Sequence, residues 1–245
     1  MGLIFRREKR WASVNYGERP NEGRGGQNPS MILIHYTGMQ SAEAALERLC
    51  DPASEVSAHY LIDETGELHS LVPENKRAWH AGKAYWAGER DINSASIGIE
   101  LVNPGHEFGY RPFPDSQINS LIALCKGLMK RYAIPAARVL GHSDVAPGRK
   151  IDPGELFPWQ KLAEQSVGLW PAPEHVDYEN VSKHEAMDLL VQYGYDPNLE
   201  LPALLTEFHR HFYPEAFRDN PADMHEEGIA RLRSLIRQER QRRPS

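Results

Sequence analysis

His142 and Asp152 stand ten positions apart, on either side of a Gly/Pro-rich run, Pro147-Gly148-Arg149-Lys150-Ile151-Asp152-Pro153-Gly154. One helix cannot bring such a pair together, but a loop that returns on itself can. If the stretch from Lys150 to Asp152 is extended, side chains two apart share a side, and the lysine faces the same pocket as the carboxylate. Imidazole, carboxylate and ammonium on one loop are the parts of a hydrolytic metal site. His35, at the end of an apolar run, offers a second imidazole. Two histidines and a carboxylate make three protein ligands and leave a fourth tetrahedral position open, the arrangement of a catalytic rather than a structural zinc site. Each histidine taken alone reads better as a satisfied core or surface group than as a ligand; the case rests on the three together.

Such a site needs a proton carrier and an oxyanion partner. Glu100 is a lone carboxylate in an otherwise apolar stretch, Ser96-Ile97-Gly98-Ile99-Glu100-Leu101-Val102, where a buried acid is costly unless used. Its plain alternative is a strand residue paired with a nearby Arg or Lys. Lys150 is suited to holding a tetrahedral oxyanion, and its plain alternative is a solvated loop lysine.

The elements that must position these groups can be read from periodicity. Met31-Ile32-Leu33-Ile34 is a continuous apolar run, expected to be a strand buried on both faces that delivers His35. Residues 41–50 predict a short helix with Ala44, Ala45 and Leu49 on one side. Ala58–Asp63 and Glu67–Val72 flank Glu64-Thr65-Gly66 and predict a β-hairpin. Ser96–Val102 predicts a strand with Gly98, Glu100 and Val102 on one face. The spacing of Ile118, Leu121, Ile122, Cys125, Leu128, Met129 and Tyr132 predicts a long helix over 116–132. Arg138–Gly141 predicts the strand that leads to His142, and 158–168 a short helix. Residues 1–30, glycine-rich at Gly23–Gly26, read as an arm that wraps or frays.

After Pro171-Ala172-Pro173, read as a linker, Ser182-Lys183-His184-Glu185 is a capping box opening a helix that closes at Gly194. Leu201–Phe212 and Met224–Ile236 predict two more helices. The expectation is an α/β domain over 1–170, a central mixed β-sheet flanked by helices, plus a small all-α module of three helices over 177–240.

Composition narrows the function classes. With 28 Lys and Arg against 34 Asp and Glu and no basic stripe in the main body, nucleic acid is not the expected partner. The Arg-rich end, Arg231–Arg243, is read as a solvated final helix turn and tail. Two cysteines, Cys50 and Cys125, form no Cys-x-x-Cys pair or disulfide framework. No stretch reaches membrane-spanning length. The first residues, Met1–Arg7, carry no secretory leader or lipidation pattern, so the expected place is the cytoplasm, or the periplasm and outer membrane if a leader was removed.

Six segments carry a resemblance over residues 30–165: His35-Tyr36-Thr37-Gly38, Val56–Ile62, Ala78-Trp79-His80-Ala81-Gly82, Ser96–Glu100, Gly141-His142-Ser143-Asp144 and Gly148–Gly154. In this order they resemble the type-2 N-acetylmuramoyl-L-alanine amidases, zinc enzymes related to peptidoglycan-recognition proteins and phage amidases. The resemblance implies a mixed sheet flanked by helices, zinc held by His35, His142 and Asp152, a catalytic acid at Glu100 and a transition-state lysine at Lys150. It further implies a substrate groove lined by Tyr36, Thr37, Trp79, His80 and Arg149. His59 is read as a supporting or structural histidine rather than a ligand. Tyr193-Gly194-Tyr195-Asp196 and the helices around it resemble the peptidoglycan-binding-like module of the AmiD-like branch, whose members are typically exported lipoproteins. Domain content and the start of the chain thus point to different relatives.

The expected reaction is zinc-dependent hydrolysis of the amide between N-acetylmuramic acid and L-alanine, in peptidoglycan or its 1,6-anhydro-muropeptide fragments. Two alternatives stand beside it, a peptidoglycan-binding protein that no longer cleaves and a metallopeptidase cutting within the stem peptide. Protein partners and oligomeric state are not legible in the chain.

Overall fold

Nothing polar interrupts Met31-Ile32-Leu33-Ile34, and in the structure, a computed structural model, all four are fully buried, at 0% exposure. Full burial of such side chains contributes roughly 1.5–3 kcal/mol each, which fixes this run as an interior strand of the sheet. The structure describes residues 11–20, 28–178 and 181–242. Met1–Arg7 and the Gly23–Gly26 run lie outside the described residues.

Seven strands occur among the described residues: β1 (Tyr16–Glu18), β2 (Met31–Tyr36), β3 (Tyr60–Ile62), β4 (Leu68–Ser70), β5 (Lys76–Ala78), β6 (Ser96–Leu101) and β7 (Val139–Gly141). Five of them form one sheet in the order β4-β3-β6-β2-β7. β6 is parallel to both β2 and β3, while β3 and β4 are the expected antiparallel hairpin, so the sheet is mixed. Gly66 in the hairpin turn has φ +90°, the left-handed region that a side chain disfavours. β1 and β5 make a separate antiparallel pair that periodicity did not announce.

Two longer helices flank the sheet, α1 (Ala42–Cys50) and, beyond the short α2 (Ile92–Ala95) and α3 (Gly105–Phe108), α4 (Asp115–Tyr132). The Ser41 hydroxyl caps α1 by accepting from Ala44 N at 3.2 Å. The helix then buries Ala45, Leu46 and Leu49 against Leu61, Leu71 and Val102. Ala44, expected on that face, is only half-buried. α4 matches the predicted helix and buries Ile118, Leu121, Ile122, Cys125 and Leu128. Its buried Gln117 donates to Ile62 O and Val102 O, tying it to the sheet end.

The described part of the arm wraps. Asn15 Nδ2 donates to Asp51 O and Val56 O, and Arg19, 5% exposed, bonds the Ser94 and Ser96 carbonyls. Burial lowers the Arg19 pKa to about 10.

The chain divides into two units, Met1–Gly82 with Asp91–Leu140, and Lys83–Arg90 with Gly141–Ser245. The loop that begins at His142 therefore shares a unit with the C-terminal helices. That second unit holds α5 (His142–Val145), α6 (Trp159–Glu164), α7 (Lys183–Tyr193), α8 (Leu201–Phe212) and α9 (Glu226–Arg242). The Ser182 capping box forms as expected, Ser182 Oγ accepting from Glu185 N and Glu185 Oε2 accepting from Ser182 N.

The Arg-rich end is the solvated turn expected of it only in its last residues, where Arg240 and Gln241 are exposed. α9 runs on to Arg242, and the arginines of its earlier turns, Arg231, Arg233 and Arg237, are used in packing. Arg231 donates to Phe212 O and lies 4.6 Å over the Tyr213 ring, while Arg237 pairs with Asp177. The Pro171-Ala172-Pro173 segment is pinned to the same helix, with Ala172 N donating to Ser234 Oγ at 3.0 Å. Arginine composition alone cannot separate a solvated tail from a helix that covers aromatic rings. No helix among the described residues is long and apolar enough to cross a membrane.

Candidate active site

β6 presents Ser96, Gly98 and Glu100 on one face, and each position has a distinct use. The Ser96 hydroxyl lies 3.4 Å from His80 Nε2 and donates to Ile92 O. Gly98 makes room for the imidazole of His80, since a Cβ there would come within 2.5 Å of the ring. Glu100, half-buried, is the Cα partner of His35 across the parallel pairing of β6 with β2. Side chains paired in register in adjacent parallel strands share a face, so the carboxylate and the imidazole stand side by side.

His35 is 2% exposed, and its Nε2 is 3.0 Å from His80 Nδ1. One polarity satisfies the chain of contacts: His35 Nε2–H donates to His80 Nδ1, and His80 Nε2–H donates to Ser96 Oγ. That arrangement leaves His35 Nδ1 as the lone-pair nitrogen, and the partner at Nε2 sets the tautomer and aim of the ring. The resemblance implies a groove position for His80; what the structure gives it is this contact with His35. Its loop is held by Asn93, whose Oδ1 accepts from His80 N and Ala81 N, a role with no signal in the chain.

His59 lies one ring further on, fully buried. Its Nδ1 accepts from Gly98 N at 3.0 Å and its Nε2 is 3.0 Å from Lys76 O. Burial, reinforced by the Arg19 guanidinium, pushes its pKa down to about 3. It is a neutral brace between β5 and β6.

On the other segment, β7 ends at Gly141, and His142 follows as the first residue of α5. Gly141 is required there, because a Cβ would stand 2.7 Å from Pro153 Cδ. Ser143 N donates to Asp152 O at 2.9 Å, which folds the loop back so that His142 Nδ1 and Asp152 Oδ2 are 3.1 Å apart. The turn between them closes on Ala146, whose carbonyl accepts from both Arg149 N and Lys150 N. Lys150 follows this turn, half-buried. Arg149 donates to Lys83 O at 2.6 Å and stands 3.5 Å from His142 Nε2; burial lowers its pKa, opposed by Asp152.

His35, His142 and Asp152 are all buried, and one ligand atom from each lies within 4.8 Å of the others. Two ligands of a tetrahedral ion sit about 3.3 Å apart when each bond is about 2.0 Å, close to the His142–Asp152 separation. Two imidazoles and a carboxylate gathered in a buried position are a donor set for a borderline divalent ion.

Around His35, Thr37 spends its hydroxyl on the backbone, donating to Asn103 O and accepting from Met39 N. Tyr36 is half-buried with its OH 3.0 Å from His106 Nδ1, and the His106 ring stacks on Tyr110 at 4.2 Å. Periodicity carries no signal for this aromatic group, because His106 sits in the four-residue helix α3 and Tyr110 in the irregular stretch after it. Trp79 is half-buried beside Ser57, which accepts from its backbone N–H.

Comparison with known proteins agrees with this arrangement. The family profile described as N-acetylmuramoyl-L-alanine amidase matches residues 25–155. The chain is 36% identical to N-acetylmuramoyl-L-alanine amidase AmiD of Escherichia coli over 82% of this chain and 80% of that protein. It is 34% identical to 1,6-anhydro-N-acetylmuramyl-L-alanine amidase AmpD of Haemophilus influenzae, over 61% of this chain and 86% of that one. Among solved structures, E. coli AmiD in complex with anhydro-N-acetylmuramic acid-L-Ala-D-γ-Glu-L-Lys superposes with TM-score 0.75 at 32% identity, covering 96% of this chain and 94% of AmiD. AmpDh3 of Pseudomonas aeruginosa gives TM-score 0.77 at 29% identity, covering 97% and 98%. The mixed sheet, the gathered ligands and these likenesses lead to one assignment: the chain belongs to the N-acetylmuramoyl-L-alanine amidase family.

Proposed function

We propose that the protein is a zinc amidase in which His35, His142 and Asp152 hold the ion, Glu100 moves the proton and Lys150 faces the oxyanion. The observation that carries this reading is the convergence of the three buried ligand groups within 4.8 Å. Bound there, zinc supplies Lewis acidity toward the scissile carbonyl and toward water.

The chain's own residues do the rest. Glu100, level with His35, takes a proton from the attacking water as the water oxygen bonds to the lactyl carbonyl carbon. The same carboxyl then returns that proton to the L-alanine nitrogen as the carbon–nitrogen bond breaks. The products are a muramic carboxylate and a peptide with a free amino end. The Lys150 ammonium offers charge to the carbonyl oxygen while it is negative, a contribution typically worth about 10²–10³ in rate.

For the substrate, we favour a 1,6-anhydro-muropeptide. AmiD and AmpDh3 were each solved with such a molecule, and both likenesses span nearly this whole chain. Incubation of a defined anhydro-muropeptide with the purified protein, followed by mass spectrometry with and without a chelator, tests the reading. The expected products are free anhydro-sugar and an intact peptide beginning at L-alanine, abolished by chelation. An intact substrate with stoichiometric zinc bound indicates a binding protein instead, and a cut inside the peptide indicates a peptidase.

A further inference from the structure

The ligand loop is gripped on both flanks by two consecutive residues of α8, Arg210 and His211. Asp144, two residues beyond His142, is fully buried and is the third residue of the one-turn helix that His142 opens. Its Oδ2 accepts from Gly141 N and from His211 Nδ1, each at 2.7 Å, and its Oδ1 accepts from Tyr195 OH at 3.2 Å. This one carboxylate caps the backbone that carries His142 and is itself fixed from α8 and from the residue pair after α7. On the other flank Glu155, three residues beyond Asp152, accepts from Arg210 Nη1. Arg210 is 7% exposed, donates through Nε to Glu207 at 2.7 Å and lies 4.6 Å over the Phe217 ring.

The grip is rigid. The His211 ring is sandwiched by Trp159, at 3.7 Å and 20°, and by Phe212, at 3.6 Å and 8°. Its Nε2 is buried with no hydrogen-bond partner among the described residues, so Nδ1 carries the proton toward Asp144. Apolar side chains of similar volume would pack this interior at no electrostatic cost. Instead a buried carboxylate and a buried guanidinium sit where they reach the residues flanking the two ligands.

We propose that α8 is a positioning element of the metal site, and that Arg210 and His211, through Glu155 and Asp144, set the separation of the Asp152 carboxylate from the His142 imidazole. The helical module then completes the metal-binding loop in addition to any contact it makes with glycan. This inference rests on the zinc assignment above.

The test uses the full chain with His211→Phe, which keeps the ring stack and removes the donor. His211→Asn, whose amide N–H replaces Nδ1–H, serves as the rescue. Two readouts are needed. Backbone amide exchange at Gly141 and Ser143 in metal-free protein reports the grip. Zinc affinity, by competition with a chromophoric chelator, and the visible spectrum of the cobalt(II) form report the ligands. In His211→Phe we expect faster exchange at both amides, a roughly 10–100-fold loss of zinc affinity and an altered cobalt spectrum, largely restored in His211→Asn. Tyr195→Phe, a smaller change, should move the same readouts in the same direction, which keeps the test open if His211→Phe fails to fold.

Unchanged amide exchange in folded His211→Phe would overturn the grip. Faster exchange with wild-type zinc affinity and cobalt spectrum would overturn the positioning role. Failure of the wild type to bind zinc would overturn the zinc assignment and the positioning role together, while the exchange data would still report on the grip itself.

Discussion

Glu100 and His35 are Cα partners in the parallel pairing of β6 with β2, so the proposed proton carrier is mounted one strand away from a proposed ligand. The spacing is set by the sheet, whose strands lie about 4.8 Å apart, and it needs no loop to adjust it.

Because Glu100 neighbours the ligand group without belonging to it, its loss should separate chemistry from metal binding. Glu100→Ala should keep stoichiometric zinc and lose about 10²–10⁴ in kcat. Metal analysis alongside steady-state kinetics checks this, and full activity in the variant removes Glu100 from the mechanism.

Asp152→Ala should behave differently, since it deletes a proposed ligand and leaves His142 without its neighbour 3.1 Å away. Both zinc content and turnover should fall. Titration with a chelator indicator measures the first independently of the second.

Gly98→Ala places a methyl within 2.5 Å of the His80 ring, and the ring must shift. The variant should lose about 1–3 kcal/mol of stability by overpacking. Zinc affinity should also fall, because His80 bonds His35. Urea unfolding and metal titration together check both effects; a variant equal to wild type in both would refute the role given to His80.

Acid should weaken the fold through two buried imidazoles. His59 and His209 have pKa values lowered from 6.5 to about 3 and about 4, chiefly by burial. The folded state keeps both neutral while the unfolded chain protonates them near 6.5. Their contribution is therefore present above pH 6.5 and is lost as pH falls toward the folded values. At pH 5.5 each should cost about 1.4 kcal/mol relative to neutral pH. His209→Asn should remove one such increment from the difference between unfolding curves at pH 7.5 and 5.5.

Much of this site is legible in the amino-acid sequence alone. His35, His142 and Asp152 can be named because buried strands and a Gly/Pro loop leave few places for such residues. The alternation of Ser96, Gly98 and Glu100 is equally readable, since period two fixes a face. The partners on that face are not legible. That His80 returns over Gly98, or that His211 reaches Asp144, depends on where distant segments come back, and local periodicity carries no such information. The Arg-rich end misleads for a related reason: Arg231 lies over Tyr213, eighteen positions earlier in the chain.

β6 also ties chemistry to folding by parity. Ile97, Ile99 and Leu101 are all at 0% exposure, and they occupy the odd positions between Ser96, Gly98 and Glu100. Deleting or inserting a single residue in this strand would swap the two sets, carrying the apolar trio to the His80 side and Glu100 into the apolar layer. A one-residue shift in this strand therefore disturbs the core and the proposed site in the same event.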